Sequence, residues 1–406
     1  MSLSELSKLS YEKATGFHEV YLVDFILRFT KRRVALKVLY LGWDYCGLVR
    51  QELNKSTVAE KLIEAFSKCR MIEQSTDVGF AVCGRTDKGV SGLSQVCGNC
   101  NVYCLKVVVL TLRSNVHDGV GVIAPEDTSN LYPEKPEIDY VLIGNKNLPP
   151  DIRILAWCPV PLEFSPRRDC ISRSYKYFFP AAGLNIEDMR EAASKLMGLH
   201  DFRNFCSSQI TNGVLNHERI IFHIDLSDED DNKMNPRRFC CLNIRGSAFL
   251  YHQIRCIASL LIAIGRGLES PNVIDALLDV QNMPGKPPYQ MAEAEPLLFF
   301  EPEFQKMDWE TSPVAQEDVL KSMQKLWTKH AIRAQVAEVM LQTVEEMFPD
   351  CIPNNYFASI SREALLSVGS KRKPILERPV DDALEKKIQK LEANRPHNQI
   401  NRATDV

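Results

Sequence analysis

The stretch of this chain best equipped for chemistry is Cys83-Gly-Arg-Thr-Asp-Lys-Gly-Val-Ser91, a polar turn between two apolar segments. Gly84 and Gly89 permit tight or positive-φ geometry, and Arg85, Asp87 and Lys88 stand between them. The pattern fits a functional loop whose backbone a ligand approaches closely and whose carboxylate does the work. It equally fits a solvated hairpin turn, and residue types alone leave both readings open. A second group, Cys97-x-x-Cys100-x-x-x-Cys104, has half the spacing of a metal knuckle. Zinc sites usually need four ligands, and no second CxxC follows, so no metal is expected and free thiols are.

Other chemistries lack their signatures. The chain has no Walker A pattern, GxGxxG, HExxH or GxSxG, and Gly89-Val-Ser-Gly92 misses the spacing of a serine-hydrolase turn. Its 406 residues carry a net charge of −3, so nucleic acid could be bound only through a local basic site, not bulk charge. No apolar run approaches the length of a membrane span, and the first residues have neither the basic flank nor the apolar core of a secretory signal. Thirteen scattered cysteines fit a reducing compartment better than a disulfide framework.

The elements around the polar turn follow from pattern. Residues 1–33 read as a loosely ordered leader ending in Lys31-Arg-Arg33. Val34–Leu41 reads as a buried strand stopped by Gly42. Thr57 with Glu60 forms a capping box ahead of the helical stripe Val58, Leu62, Phe66 and Cys69. Residues 115–137 read as a long loop. Farther on, strands are expected at Cys170–Phe179, Arg219–Leu226 and Phe239–Arg245. Helices are expected over Asn185–Met197 and Tyr251–Ile264, and from Ser270-Pro271, with proline at its first helical position, to about Val280. Residues 315–347 read as an amphipathic helix around Leu320, Leu326, Trp327 and Met340, and Asp381–Ala393 as a charged one. This interleaving favours an α+β class with two related halves around a mixed, largely antiparallel sheet. The expected divisions are 1–33, 34–150, 151–302 and a helical and polar extension over 303–406.

With these elements in place, Gly84-Arg-Thr-Asp-Lys-Gly-Val-Ser91 resembles the signature of the TruA-type tRNA pseudouridine synthases. Leu148-Pro-Pro-Asp-Ile-Arg-Ile154, Arg173-Ser-Tyr-Lys-Tyr177 and Phe249-Leu-Tyr-His-Gln-Ile-Arg255 resemble further segments of that family, in the same order, within residues 34–302. Gly198-Leu-His-Asp-Phe202 and Asn204-Phe205 add to it. The Pro149–Trp157 run, Tyr177-Phe-Phe-Pro180 and Lys373-Pro-Ile-Leu-Glu-Arg-Pro379 are most similar to the eukaryotic branch acting on positions 38 and 39 of the anticodon stem-loop. The branch acting on positions 27 and 28, and an idle tRNA-binding protein on the same fold, are the alternatives.

The resemblance implies an isomerase with a cleft between its halves, tRNA as partner, no cofactor and no membrane, a homodimer as in the bacterial members, and residence in nucleus or cytoplasm. It places the catalytic aspartate on Asp87, the substrate-contacting tyrosine on Tyr175 and an arginine partner on Arg255. The reaction cuts the N1–C1′ bond of a uridine, turns the base and rejoins it through C5. One ionised carboxylate is required, to attack C1′ or to take a proton from C2′. Arg255 is read as pairing with that carboxylate, Tyr175 as stacking on the flipped uracil, and Arg85 as holding a phosphate or the displaced strand. Lys88, Arg167, Arg168, Arg173 and Lys176 are read as further phosphate contacts.

The chain departs from the family in three places. Gly92 stands where members usually carry alanine, and Ser94 where they carry glycine. About a dozen additional residues, Cys97–Val108, separate the signature from the next strand. Such an insertion is expected to disturb the strand that fixes Asp87, and it has the character of a retained intron or a gene-model error; a spliced transcript encoding all twelve residues would count against either origin.

Overall fold

Lys31–Tyr40 (β1) is apolar from Val34 onward except for Lys37, and the strand is buried on both faces over that length. The computed structural model describes residues 29–53, 56–72, 80–93, 107–125, 128, 131–207, 214–228, 237–349 and 373–393. These fall into two compact units, one within Met1–Ile171 and Phe299–Leu341, the other within Ser172–Leu298 and Gln342–Val406.

In the first unit β1 is central. Along one edge it pairs antiparallel with Val107–Arg113 (β4) and, through Tyr40 and Gly92, with Ser91–Gly92 (β3). Along the other it takes Ile152–Pro159 (β6) and the short Val122–Ile123 (β5). Ala81–Val82 (β2) pairs with β4. Val58–Lys68 (α1) begins as the capping box predicts, the Thr57 hydroxyl accepting from the Glu60 NH at 3.2 Å. Its Val58, Leu62 and Phe66 join Leu36, Val38 and Tyr40 in the main core. Tyr140–Asn145 (α2) is capped by Asp139. β6 pairs with β1 and therefore belongs to this unit, which places residues 151–171 with the first half.

One expectation changes here. Lys31–Arg33 are not leader but the first residues of β1, paired with Arg113, Leu112 and Thr111. Their charges are tolerated because Arg32 meets Glu137 at 2.9 Å with both side chains largely buried. The remainder of the leader, residues 1–28, lies outside the described residues. Burial alone would raise the Glu137 carboxyl, but hydrogen bonds from the Ile138 and Asn115 NH groups, Arg32 and Ser114 reverse this, and its pKa is lowered. A lowered folded-state pKa gives stability that is present above the unfolded carboxyl value and lost as pH falls through the folded one. Glu137→Gln is therefore expected to flatten the acid limb of a Tm–pH profile. An unchanged profile below about pH 4.5 would remove Glu137 from that account.

In the second unit Ser172–Pro180 (β7), Phe239–Gly246 (β10), Glu218–Asp228 (β9) and Gly198–Asp201 (β8) lie in that order, and the registers of the three pairs are antiparallel. Ile186–Ser194 (α3), capped by Asn185, packs on β9, and the almost wholly buried Gln253–Gly265 (α4) packs against α3. Val273–Leu278 (α5) starts later than expected: Pro271 precedes it in a turn, with Ile274 NH donating to the Pro271 carbonyl at 3.3 Å. Leu297–Glu303 (β11), Pro313–Met347 (α6) and Leu384–Ala393 (α7) complete the order. The expected α+β class holds. The helix expected at 315–347 forms as α6 but is not amphipathic in its packing. Ala315 and Leu326 are its buried residues, whereas Leu320, Trp327 and Met340 are exposed. Among the described residues no helix is long and apolar enough to cross a membrane.

Candidate active site

The loop that carries Asp87 leaves β2 and ends at β3, and main-chain bonds fix it on both sides of the aspartate. The Val90 NH donates to the Asp87 carbonyl at 3.2 Å, closing a turn with Gly89 at φ 83. That left-handed conformation is why glycine stands there. The Gly89 NH donates to the Tyr45 carbonyl at 3.2 Å, and the Leu48 NH to the Thr86 carbonyl at 3.2 Å. Thr86 is buried, and its hydroxyl shares a 2.7 Å hydrogen bond with the Tyr40 hydroxyl. Asp87 itself is half-buried, while Arg85 and Lys88 are exposed. The turn thus fixes the main chain that carries the carboxylate and leaves two cations in water.

The cradle for this turn is residues 42–48, which sequence reasoning took only as the end of a strand. A Cβ on Gly42 would lie 1.9 Å from the Val90 carbonyl oxygen, and one on Gly47, at φ 103, 2.8 Å from the Thr86 carbonyl oxygen. Glycine at both places lets two backbones touch. The Gly42 NH donates to the Ser91 hydroxyl at 2.9 Å. Tyr45 anchors the cradle, its hydroxyl donating to Asp151 Oδ1 at 2.9 Å. The same geometry accounts for Gly92. A Cβ there would come within 2.8 Å of the Tyr40 ring, whose hydroxyl holds Thr86. Two glycines five residues apart after a strand, with tyrosines at 40 and 45, were the available signal.

Residues 94–106, which hold the three clustered cysteines and most of the insertion, lie outside the described residues. The expected disturbance is not seen in the strands on either side. β3 and β4 both pair with β1, β4 over all seven residues.

The second unit positions the other expected residues. Arg255 lies in the first turn of α4. That helix starts from His252 in the left-handed region at φ 62, a strained conformation costing about 1–3 kcal/mol. The His252 ring meets the Ser207 hydroxyl at 2.9 Å and stacks on Tyr251. Burial, with Arg255 and Lys286 nearby, lowers its pKa to about 4, so it adds no charge beside Arg255 at neutral pH. The Gln253 side chain accepts from the Leu250 NH at 2.8 Å, and Arg255 Nε donates to the Ala292 carbonyl at 2.7 Å.

Strand parity places Arg173, Tyr175 and Tyr177 on one face of β7, and burial separates them. Tyr177 is fully buried, its hydroxyl donating to the Glu293 carbonyl at 3.1 Å, which makes it a core residue. Tyr175 is half-buried and meets Phe249 edge-on at 5.3 Å, which keeps part of its ring accessible. Arg173 is buried, with Nη1 donating to the Ser247 carbonyl at 2.7 Å. It clasps the end of the β7–β10 pair, where Arg173 is opposite Gly246. Arg167 and Arg168, in the first unit, are exposed, and Lys176 is half-buried.

A family model described as tRNA pseudouridine synthase matches residues 192–305. The tRNA pseudouridine(38/39) synthase of Bos taurus is 37% identical over 382 residues, covering 88% of this chain and 76% of the relative. The protein of the same description from Saccharomyces cerevisiae is 35% identical over 339 residues, covering 81% and 70%. A tRNA pseudouridine synthase A of Methanosarcina mazei is 30% identical over 247 residues, covering 61% and 76%. With most of its own length and about three quarters of a relative's aligned at this identity, around a rigidly held Asp87 loop, the chain belongs to the tRNA pseudouridine synthase family of isomerases.

Proposed function

We propose that the protein converts uridine to pseudouridine in the anticodon stem-loop of tRNA, at positions 38 and 39. The observation that carries this reading is the Asp87 turn, pinned through Thr86 and Gly89 to the 42–48 cradle, in a chain similar over most of its length to relatives so described. Asp87 supplies the carboxylate that opens the N1–C1′ bond, by attack on C1′ or by removing the C2′ proton. Bond making at C5 then releases the C5 proton to solvent while the freed N1 takes one up, so the reaction is a balanced isomerisation. Tyr175, half-buried, is the ring on which the displaced uracil stacks, a contact worth about 1–3 kcal/mol. Arg255, tethered at Nε, presents its terminal nitrogens to an anion, carboxylate or phosphate. Exposed Arg85, Lys88, Arg167 and Arg168, with Lys176, supply phosphate contacts that position RNA without reading its sequence.

The test is tritium release from tRNA carrying 5-³H-uridine, with the product positions mapped by carbodiimide modification and primer extension. Modification at 38 and 39 is expected. Modification at 27 and 28 instead would replace the site assignment, and tRNA binding without release would replace the enzyme reading by an idle binder. A homodimer belongs to the same proposal. Ile332, Val336, Val339 and Met340 leave an apolar stripe of α6 exposed, and a monomeric sedimentation coefficient would sink that part. The compartment proposed, nucleus or cytoplasm, is where such a substrate is met.

A further inference from the structure

Residues 373–382 lie against the second unit as a strap with a built seat. Ile375 is 3% exposed, and its NH donates to Glu269 Oε1 at 2.8 Å. Arg378 Nη2 faces the same buried carboxylate at 3.7 Å. Arg378 Nη1 donates to the Pro288 carbonyl at 2.9 Å, and its Nε to the Lys373 carbonyl at 2.8 Å. Farther along, the Asp381 NH donates to the Lys286 carbonyl at 3.0 Å. The Asp381 carbonyl passes so close over Gly285 that a Cβ there would lie 2.0 Å from its oxygen. A seat that requires glycine opposite one particular carbonyl is shaped for this strap.

The segment beneath it, residues 285–293, runs along α4. Lys286 Nζ donates to the Cys206 carbonyl at 3.0 Å and lies 3.3 Å from Cys256 Sγ. The Ser259 hydroxyl donates to the Gln290 carbonyl. Ala292 is fully buried; its NH donates to the Arg255 carbonyl at 3.3 Å and its carbonyl accepts from Arg255 Nε at 2.7 Å. The segment is thus gripped by α4 on its inner side and by the strap on its outer side. Pinning Nε to a buried carbonyl fixes the plane of a guanidinium, and with it the direction of its two terminal nitrogens.

We propose that the strap is a positioning element for Arg255. Arg378, with the close approach at Gly285, holds residues 285–292 so that the Ala292 carbonyl fixes the Arg255 fork. The proposal rests on the role given to Arg255 above. It assigns the 373–382 segment to catalysis in the same chain, with Arg378 acting only through other residues.

The experiment uses the full chain with Arg378→Ala, Arg378→Lys and Gly285→Ala, and with Arg378→Ala combined with Arg255→Ala. Single-turnover and steady-state tritium release are measured beside tRNA affinity and amide hydrogen exchange. Arg378→Ala is expected to lower kcat about tenfold with KM for tRNA within about twofold, because a displaced positioning group costs rate more than binding. Arg378→Lys recovers most of the loss, and Gly285→Ala, which lifts the strap at its other end, repeats the pattern. Exchange at Ala292 rises in both weakened variants. In the Arg255→Ala background Arg378→Ala costs nothing further. An equal fold-loss in both backgrounds would mean general destabilisation and overturn the proposal, as would an unchanged Ala292 amide. A wild-type protein that releases no tritium overturns the isomerase reading and with it the catalytic half of this one. The two failures are told apart by the Ala292 amide, whose exchange answers to Arg378 whatever the activity.

Discussion

Asp87→Asn is expected to end tritium release, lowering the single-turnover rate by about 10⁴-fold, the upper range for loss of one acid–base or nucleophilic group. The substitution changes one atom and keeps the volume. The carboxamide neither attacks C1′ nor accepts the C2′ proton at neutral pH, so both routes stop together. The bonds that shape the turn use the main chain of residue 87, the Thr86 carbonyl and hydroxyl, and the Gly89 and Val90 NH groups, and asparagine leaves all of them in place. Thermal stability should therefore stay within a few degrees of wild type. Affinity for tRNA should hold or rise, since one negative charge is removed from between exposed Arg85 and Lys88. Asp87→Glu sharpens the test. It restores the charge but moves it by about one methylene, and misplacement of this size costs about 10²-fold. Release by Asp87→Asn at the wild-type rate would take the chemistry away from this turn.

Much of the scaffold was legible because its residues obey local rules. Thr57 and Asn185 cap helices where the sequence places their starts, a hydroxyl and an amide accepting from the first turn. β1 and β7 follow from continuous and alternating hydrophobicity. What was not legible depends on which part of a face is covered. Arg173, Tyr175 and Tyr177 share a parity. Only the tertiary fold shows that Ser247 and Glu293 close over the first and last and leave the middle ring partly open. Parity also separates Arg173 from Lys176, three residues apart on β7 and therefore on opposite faces. α6 shows the opposite failure. Its residues form a helix by propensity, but nothing within the chain covers Leu320, Trp327 or Met340 among the described residues. The cradle at 42–48 was missed for a different reason. A glycine that ends a strand and a glycine that admits another backbone look alike until the second backbone is in place.

That last distinction gives the second large prediction, from a residue with no side chain. Gly42→Ala is expected to lower tritium release at least 10²-fold while the rest of the first unit stays folded. The added Cβ would sit 1.9 Å from the Val90 oxygen and 2.4 Å from its carbonyl carbon. Both are main-chain atoms, so no rotamer change relieves the overlap; the turn that carries Asp87 must move instead. Moving it stretches the bond from the Gly42 NH to the Ser91 hydroxyl, and pulls Gly89 away from the Tyr45 carbonyl. Tyr40→Phe is the graded companion. It leaves both backbones in contact and removes one hydroxyl, stranding the buried Thr86 hydroxyl at a cost of about 1–3 kcal/mol. If loop position governs the rate, Gly42→Ala should lose far more activity than Tyr40→Phe at comparable Tm, and tRNA affinity should change little in either. The exposed Arg85 and Lys88 that would meet the backbone of the RNA stay with the loop. Equal losses in the two variants, or a loss in Gly42→Ala that tracks its Tm alone, would mean that the cradle serves stability and not the placement of Asp87.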